Sequence, residues 1–147
     1  MNRIDDTRPF IPIGIAVLTV SDSRSLDDDK SGQTLADRID KAGHKLVDRA
    51  ICKDSQPDIA RQVTDWTKRD DIDVVITTGG TGFTGRDVTP EALEPLFDKR
   101  MDGFSSLFHQ ISVEKIGTST IQSRATAGLM NQTFVFVLPG SPGALSL

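Results

Sequence analysis

The sequence predicts a three-layer α/β/α domain around a mostly parallel central sheet. Apolar, β-branched runs alternate with segments of helical periodicity, in the order strand, helix, strand, helix, strand, two helices and a closing strand pair. The first run is almost continuously apolar, as expected of a strand buried on both faces. No linker, internal repeat or low-complexity tract breaks the order.

Residues 13–20 (IGIAVLTV) give the first strand. Residues 32–42 place Leu35, Ile39 and Ala42 on one helical face, and Gly43 supplies the stop. Residues 45–53 (KLVDRAICK) form a shorter strand. Ser55-x-x-Asp58 then opens a helix whose Ile59, Val63 and Trp66 fall at helical spacing, Trp66 being core or subunit interface. Residues 73–78 make the third strand, and Thr89-Pro90 starts a helix running through Leu93, Leu96 and Phe97, with proline favoured at the first helical position. Phe104, Leu107, Phe108 and Ile111 mark one more helix. Residues 125–130 and 133–138 flank Asn131-Gln132 as a hairpin.

At 147 residues the chain makes one domain, read as an N-terminal extension over residues 1–12 and a folded unit over 13–147. The hydrophobic content of 37% and charged content of 26% are those of a soluble globular protein. Cys52 is the sole cysteine, so no internal disulfide framework exists, and a reducing cytoplasm is the expected compartment. Asp5 and Asp6 stand where a signal peptide would be basic, and the apolar run from Phe10 is broken by Pro12 and too short to span a bilayer. A net charge of −4 argues against nucleic-acid partners and leaves room for a small anion held by backbone N–H groups.

In such sheets ligands bind beyond the carboxyl ends of the strands. That rule brings loops 21–31, 53–56, 79–87 and 139–143 to one rim. The third of these lies within TTGGTGFTGRDVTPEA, residues 77–92, and contains Gly80-x-Gly82-x-x-Gly85. A dinucleotide fingerprint would have its third glycine inside a helix and an acid about 20 residues on, at a strand end. Here Arg86-Asp87 and Thr89-Pro90 intervene, and residues 99–103 read as a helix terminus. No Gly-Lys-Ser/Thr follows, so a Walker A loop is excluded as well. Two readings stay open: a phosphate cradle of glycine N–H groups ahead of a helix, or a plain turn using glycine for positive φ. Asp87 and Asp54 either share a cation with phosphate or cap the helices that follow them; for Asp54 taken alone, capping is the stronger reading.

Ile76-Thr77-Thr78-Gly79-Gly80-Thr81-Gly82, followed by Arg86-Asp87-Val88-Thr89-Pro90-Glu91-Ala92, resembles the molybdenum-cofactor biosynthesis family, which includes the molybdopterin adenylyltransferases (MogA-like) and the MoaB proteins. Thr19-Val20-Ser21-Asp22, Asp29-x-Ser31-Gly32, Ser123-Arg124-x-x-Ala127-Gly128 and Leu138-Pro139-Gly140-Ser141-Pro142 are similar in order and spacing. Phe10-Ile11-Pro12 and Gly117-Thr118-Ser119-Thr120 resemble the MoaB branch.

The resemblance implies the MogA-like fold, assembled as trimers or hexamers, in which molybdopterin's terminal phosphate attacks ATP in the presence of Mg²⁺. Adenylylated molybdopterin and pyrophosphate result, and GTP stays open as the nucleotide. It assigns Asp54 and Asp87 to metal binding and catalysis. Thr78, Gly79, Gly80, Thr81 and Gly82 would hold phosphate, and Ser21, Asp22, Ser123 and Ser141 would contact pterin or nucleotide. Arg86 or Arg124 could pair with phosphate. The alternative is a MoaB-type protein that binds molybdopterin without chemistry. Relatives continue beyond Leu147 into a closing helix, which is therefore expected to be missing here.

Other residues suggest no site. His44 follows a helix end and His109 reads as a surface or interface residue, neither with a partner at zinc spacing. Cys52 packs in its strand. Asp27-Asp28-Asp29 reads as a solvated charge run, of which only Asp29 gains from the family pattern.

Overall fold

The structure, a computed structural model, describes residues 5–140. Strand β1 (Gly14–Val20) is buried along its whole length. Helix α1 (Lys30–Lys41), β2 (Lys45–Cys52), α2 (Gln56–Thr67) and β3 (Val74–Thr78) follow. A short α3 (Thr89–Leu93) passes into a 3₁₀ turn (Glu94–Leu96). Then come β4 (Lys99–Arg100), α4 (Asp102–Ile116), a second 3₁₀ segment (Gly117–Gln122), β5 (Thr126–Met130) and β6 (Thr133–Leu138). The six strands lie in the order β2-β1-β3-β6-β5-β4. The β2–β1, β1–β3 and β3–β6 pairings are parallel, and the β6–β5 and β5–β4 pairings are antiparallel, so β5 alone runs against the others.

Alternation along the central strands builds the three layers. Ile15 and Val17 of β1 pack with Leu35 and Ile39 of α1 on one face. Ala16, Leu18 and Val20 point the other way, toward Ile59, Val63 and Trp66 of α2 and Leu93 of α3. β6 divides in the same manner, with Val135 and Val137 in the second core. Phe136 instead meets the Phe104 ring edge-on at 5.2 Å, seating α4 on the α1 side. Trp66 is a core residue, 2% exposed, and its indole N–H donates to Asp48 at 3.0 Å.

Three local expectations change. The helix from Thr89 stops at Leu93 instead of reaching Phe97, because Pro95 has no N–H to continue the ladder. Residues 99–100 are a two-residue strand on β5, not a helix terminus. Asp29 is not part of a solvated run: it is 2% exposed and caps α1, accepting from the Gly32 N–H at 2.9 Å and the Thr19 hydroxyl at 2.6 Å, with Arg49 at 3.3 Å. A β-carbon on Gly32 would meet that carboxylate at 2.0 Å, which explains the glycine. The expected hairpin forms at Asn131 and Gln132, both at positive φ (49° and 70°) as a two-residue hairpin turn of this kind requires.

Asp29 thus joins β1, α1 and β2 through one buried carboxylate. We expect Asp29→Ala to cost roughly 2–4 kcal/mol in urea denaturation, since it removes the cap and strands Arg49. A loss under about 0.5 kcal/mol, typical of a surface change, would refute that role.

Candidate phosphate-binding site

The chain leaves β3 at Gly79 and Gly80, at φ +101° and +73°. A β-carbon on Gly79 would stand 2.5 Å from the Val20 carbonyl, and one on Gly80 would stand 2.2 Å from the Thr89 hydroxyl. Both positions therefore need glycine for conformation and for space. Fully buried Thr89 fixes the turn: its hydroxyl donates to the Gly79 carbonyl at 2.9 Å and its N–H to the Gly80 carbonyl at 3.1 Å. Arg124 holds the next two carbonyls, its backbone N–H donating to Thr81 at 2.9 Å and its Nε to Gly82 at 3.0 Å. All four carbonyls of residues 79–82 are thus engaged. The N–H groups of Gly80, Thr81 and Gly82 make no hydrogen bond to any described residue. A run of free backbone donors ahead of a helix start suits an anion.

Neither acid caps a helix. Ser55 caps α2, accepting from the Asp58 N–H, and α3 has no side-chain cap. Asp87 instead accepts from the Thr84 N–H at 3.1 Å and hydroxyl at 2.7 Å, its Oδ2 standing 2.7 Å from where a β-carbon on Gly82 would be. Asp54 lies on the other glycine, 3.4 Å from the corresponding point on Gly80. The Asp22 carboxylate accepts the Asp54 N–H at 2.9 Å and pairs with Arg86, which holds Asp22 below the usual carboxylate range. Asp54 is pushed the opposite way by burial first, then by the Asp22 and Asp87 charges.

A cleft of about 430 Å³ opens beside the turn. Gly79, Gly80, Thr81, Gly82, Asp87 and Ser123 all line it, with the Ser123 and Thr81 hydroxyls 3.3 Å apart. Pro139 and Gly140 of the last rim loop also line it, and Phe108, Ile116, Ser119, Thr120 and Gln122, none of them a site candidate from sequence, complete the wall. His109 supports Thr120 at 2.9 Å. Thr78, Ser21, Asp22 and Asp54 are not in the lining. The Thr78 hydroxyl donates to the Pro139 carbonyl at 3.0 Å, and the Ser21 hydroxyl accepts from the Ser23 and Arg24 N–H groups of its own loop. Ser141 lies outside the described residues. Burial pushes the Cys52 thiol up to about 11, consistent with an unreactive strand cysteine.

Residues 16–147 match the family model described as "Probable molybdopterin binding domain". This chain belongs to that family. Molybdenum cofactor biosynthesis protein B of Escherichia coli K12 is 52% identical over 135 residues, covering 92% of this chain and 79% of the relative. The protein of the same name from Bacillus cereus is 46% identical over 132 residues, covering 89% and 78%. A crystal structure of Molybdenum cofactor biosynthesis protein B superposes with a TM-score of 0.91 at 41% identity, covering 95% of this chain and 87% of that one. A MogA structure gives 0.81 at 26% identity, covering 90% and 87%. The three-layer MogA-like fold is thereby established.

In this domain loops 21–31, 53–56 and 79–87 and residues 139–140 meet at one rim, while no helix among the described residues is long and apolar enough to cross a membrane. Asp54 gives the rim a pH signature. Its folded carboxyl titrates above the ordinary value of 3.8, so the folded state binds the extra proton. Stability therefore falls as pH rises through the window from 3.8 to the raised value, and the penalty is complete above it. Asp54→Asn should raise Tm at pH 7 by about 1–3 °C. The difference should disappear in scans below pH 3.8, and an equal gain at every pH would point to packing instead.

Proposed function

We propose that this protein acts in molybdenum cofactor biosynthesis by binding molybdopterin and adenylylating it with Mg-ATP. The N–H groups of residues 80–82, beside Asp87, carry the reading: they offer a terminal phosphate fixed dipoles with no competing partner among the described residues. The cleft wall, with Phe108 and Ile116 beside Ser119, Thr120 and Ser123, offers apolar contact and hydroxyls to a pterin. A phosphate oxygen of molybdopterin attacks the α-phosphorus of ATP, the bond from that phosphorus to the bridging oxygen breaks, and pyrophosphate leaves. The chain contributes position and dipoles to this in-line transfer.

Asp87 and Asp54, each against one glycine of the turn, are the carboxylates that would hold a magnesium ion. Among the described residues no group of three or more His, Cys, Asp or Glu side chains could hold a metal by itself. Mg²⁺ characteristically takes one or two carboxylates and completes its shell with substrate phosphates and water. Bound there, it would neutralise triphosphate charge and offset the raising of Asp54, which comes from burial first and then from the Asp22 and Asp87 charges.

A second reading, molybdopterin binding without transfer, draws support from the arginines. Arg86 is paired with Asp22 and Arg124 with Glu91, so both cations nearest the turn have carboxylate partners. A single-turnover incubation with molybdopterin and Mg-ATP decides between the readings. We expect adenylylated product and pyrophosphate from the wild type. For Asp87→Asn we expect turnover lower by roughly 100-fold or more, with molybdopterin still retained. Retained molybdopterin with no product from the wild type would leave the carrier reading, and replacing ATP by GTP in the same assay reads nucleotide preference.

Self-association as a trimer or hexamer belongs to the same proposal. Leu107, Val113 and Ile116 of α4 and the adjacent Ile121 are 46–73% exposed, more apolar side chain than one short segment usually leaves to water. Light scattering should return three or six times the 16.0 kDa chain mass. A monomer would reject the assembly without touching the site.

A further inference from the structure

We infer that Arg124 is a positioning residue of the phosphate site, which aims backbone donors at the ligand without meeting it. The inference rests on the reading of residues 80–82 as a phosphate cradle. A planar trans peptide points its C=O and N–H in opposite directions, and no cis bond occurs among the described residues. Fixing one carbonyl therefore aims the next residue's N–H. Thr89 holds the carbonyls of Gly79 and Gly80, so it directs the N–H groups of Gly80 and Thr81. Arg124 holds those of Thr81 and Gly82, so it directs Gly82 and Phe83. The same guanidinium donates to the Asp87 carbonyl at 2.9 Å and pairs with Glu91 at the start of α3. The backbone N–H supplies the 2.9 Å bond to Thr81, and the side chain adds Nε at 3.3 Å to Thr81 and 3.0 Å to Gly82. The side chain thus tightens the second half of the cradle while tying in the backbone of the neighbouring acid and the start of α3.

This role needs the planar fork of arginine. A role as simple counter-charge to phosphate would need only positive charge, and Glu91 already answers that charge, its own carboxyl lowered chiefly by the Arg124 hydrogen bond. The two roles separate in Arg124→Lys, compared with Arg124→Gln. Positioning implies that both variants lose molybdopterin affinity alike, by roughly 10- to 100-fold in equilibrium dialysis without ATP, the weight of one or two hydrogen bonds to a charged group. Lysine restoring affinity to within about twofold of the wild type would overturn the inference and assign Arg124 to phosphate charge.

The wild type supplies a second measurement should either variant fail to fold. In an NMR titration with molybdopterin, the backbone amides of Gly80, Thr81, Gly82 and Phe83 should move while the Arg124 Nε–H, already donated to carbonyls, moves less. A larger displacement at Nε than at those amides would overturn the inference alone. Saturation with the amides unmoved would reject the cradle itself.

Discussion

The rim of this domain is organised by a chain reversal squeezed between two neighbours. Gly79 passes against the Val20 carbonyl at the end of β1, and Gly80 against the Thr89 hydroxyl at the start of α3, each at a separation no β-carbon would tolerate. Thr89 turns that close approach into a lock, taking both glycine carbonyls as acceptors from a fully buried position. The β1, β3 and β6 ends are thereby drawn together, with the Gly79 N–H on the Leu138 carbonyl and the Thr78 hydroxyl on the Pro139 carbonyl. Parallel pairing of β1, β3 and β6 is what delivers these ends to one edge in the first place.

Charge is distributed around the turn in a way that leaves the cradle itself to dipoles. Asp22 satisfies Arg86 and the Asp54 N–H, Glu91 satisfies Arg124, and Asp87 closes a turn with Thr84. Asp54 is left facing Asp22 and Asp87, and carries the electrostatic cost of the arrangement. Such an imbalance is common where a site is shaped for a charged ligand, and structural ion-pair networks produce it too, so geometry has to accompany it. Here the geometry is the pair of glycines on which Asp54 and Asp87 rest.

Most of the fold was legible because it depends on patterns the side chains display. The uniform burial of β1, the α1 and α2 faces and the Asn131-Gln132 hairpin all follow from periodicity or turn chemistry. β4 was not legible, since Lys99 and Arg100 are exposed charges whose strand character lies only in backbone pairing with β5. The glycine turn could be read, but its fastening could not: Thr89 and Arg124 act on carbonyls, which bear no residue identity. Asp29 was misread for a related reason. Its two acidic neighbours made it look solvated, whereas Thr19, Gly32 and Arg49, distant or unremarkable in sequence, enclose it. At α2 the cap is Ser55, as the Ser55-x-x-Asp58 pattern indicates, and Asp54, one residue further from the helix, does not share that role.

The donors on the inner surface of the turn are amides, and amides do not gain or lose protons in the range where cells live. A site made of histidine or lysine would change its own charge as the medium acidified, and its grip on an anion would change with it. A phosphate monoester loses its second proton near pH 6. The amides add nothing to that ionisation, so any titration the protein contributes at the rim comes from its carboxylates, Asp54 first. On the phosphate reading proposed above, the turn would therefore be a host whose donors keep the same charge and direction at every pH, since their carbonyls are fastened by Thr89 and Arg124.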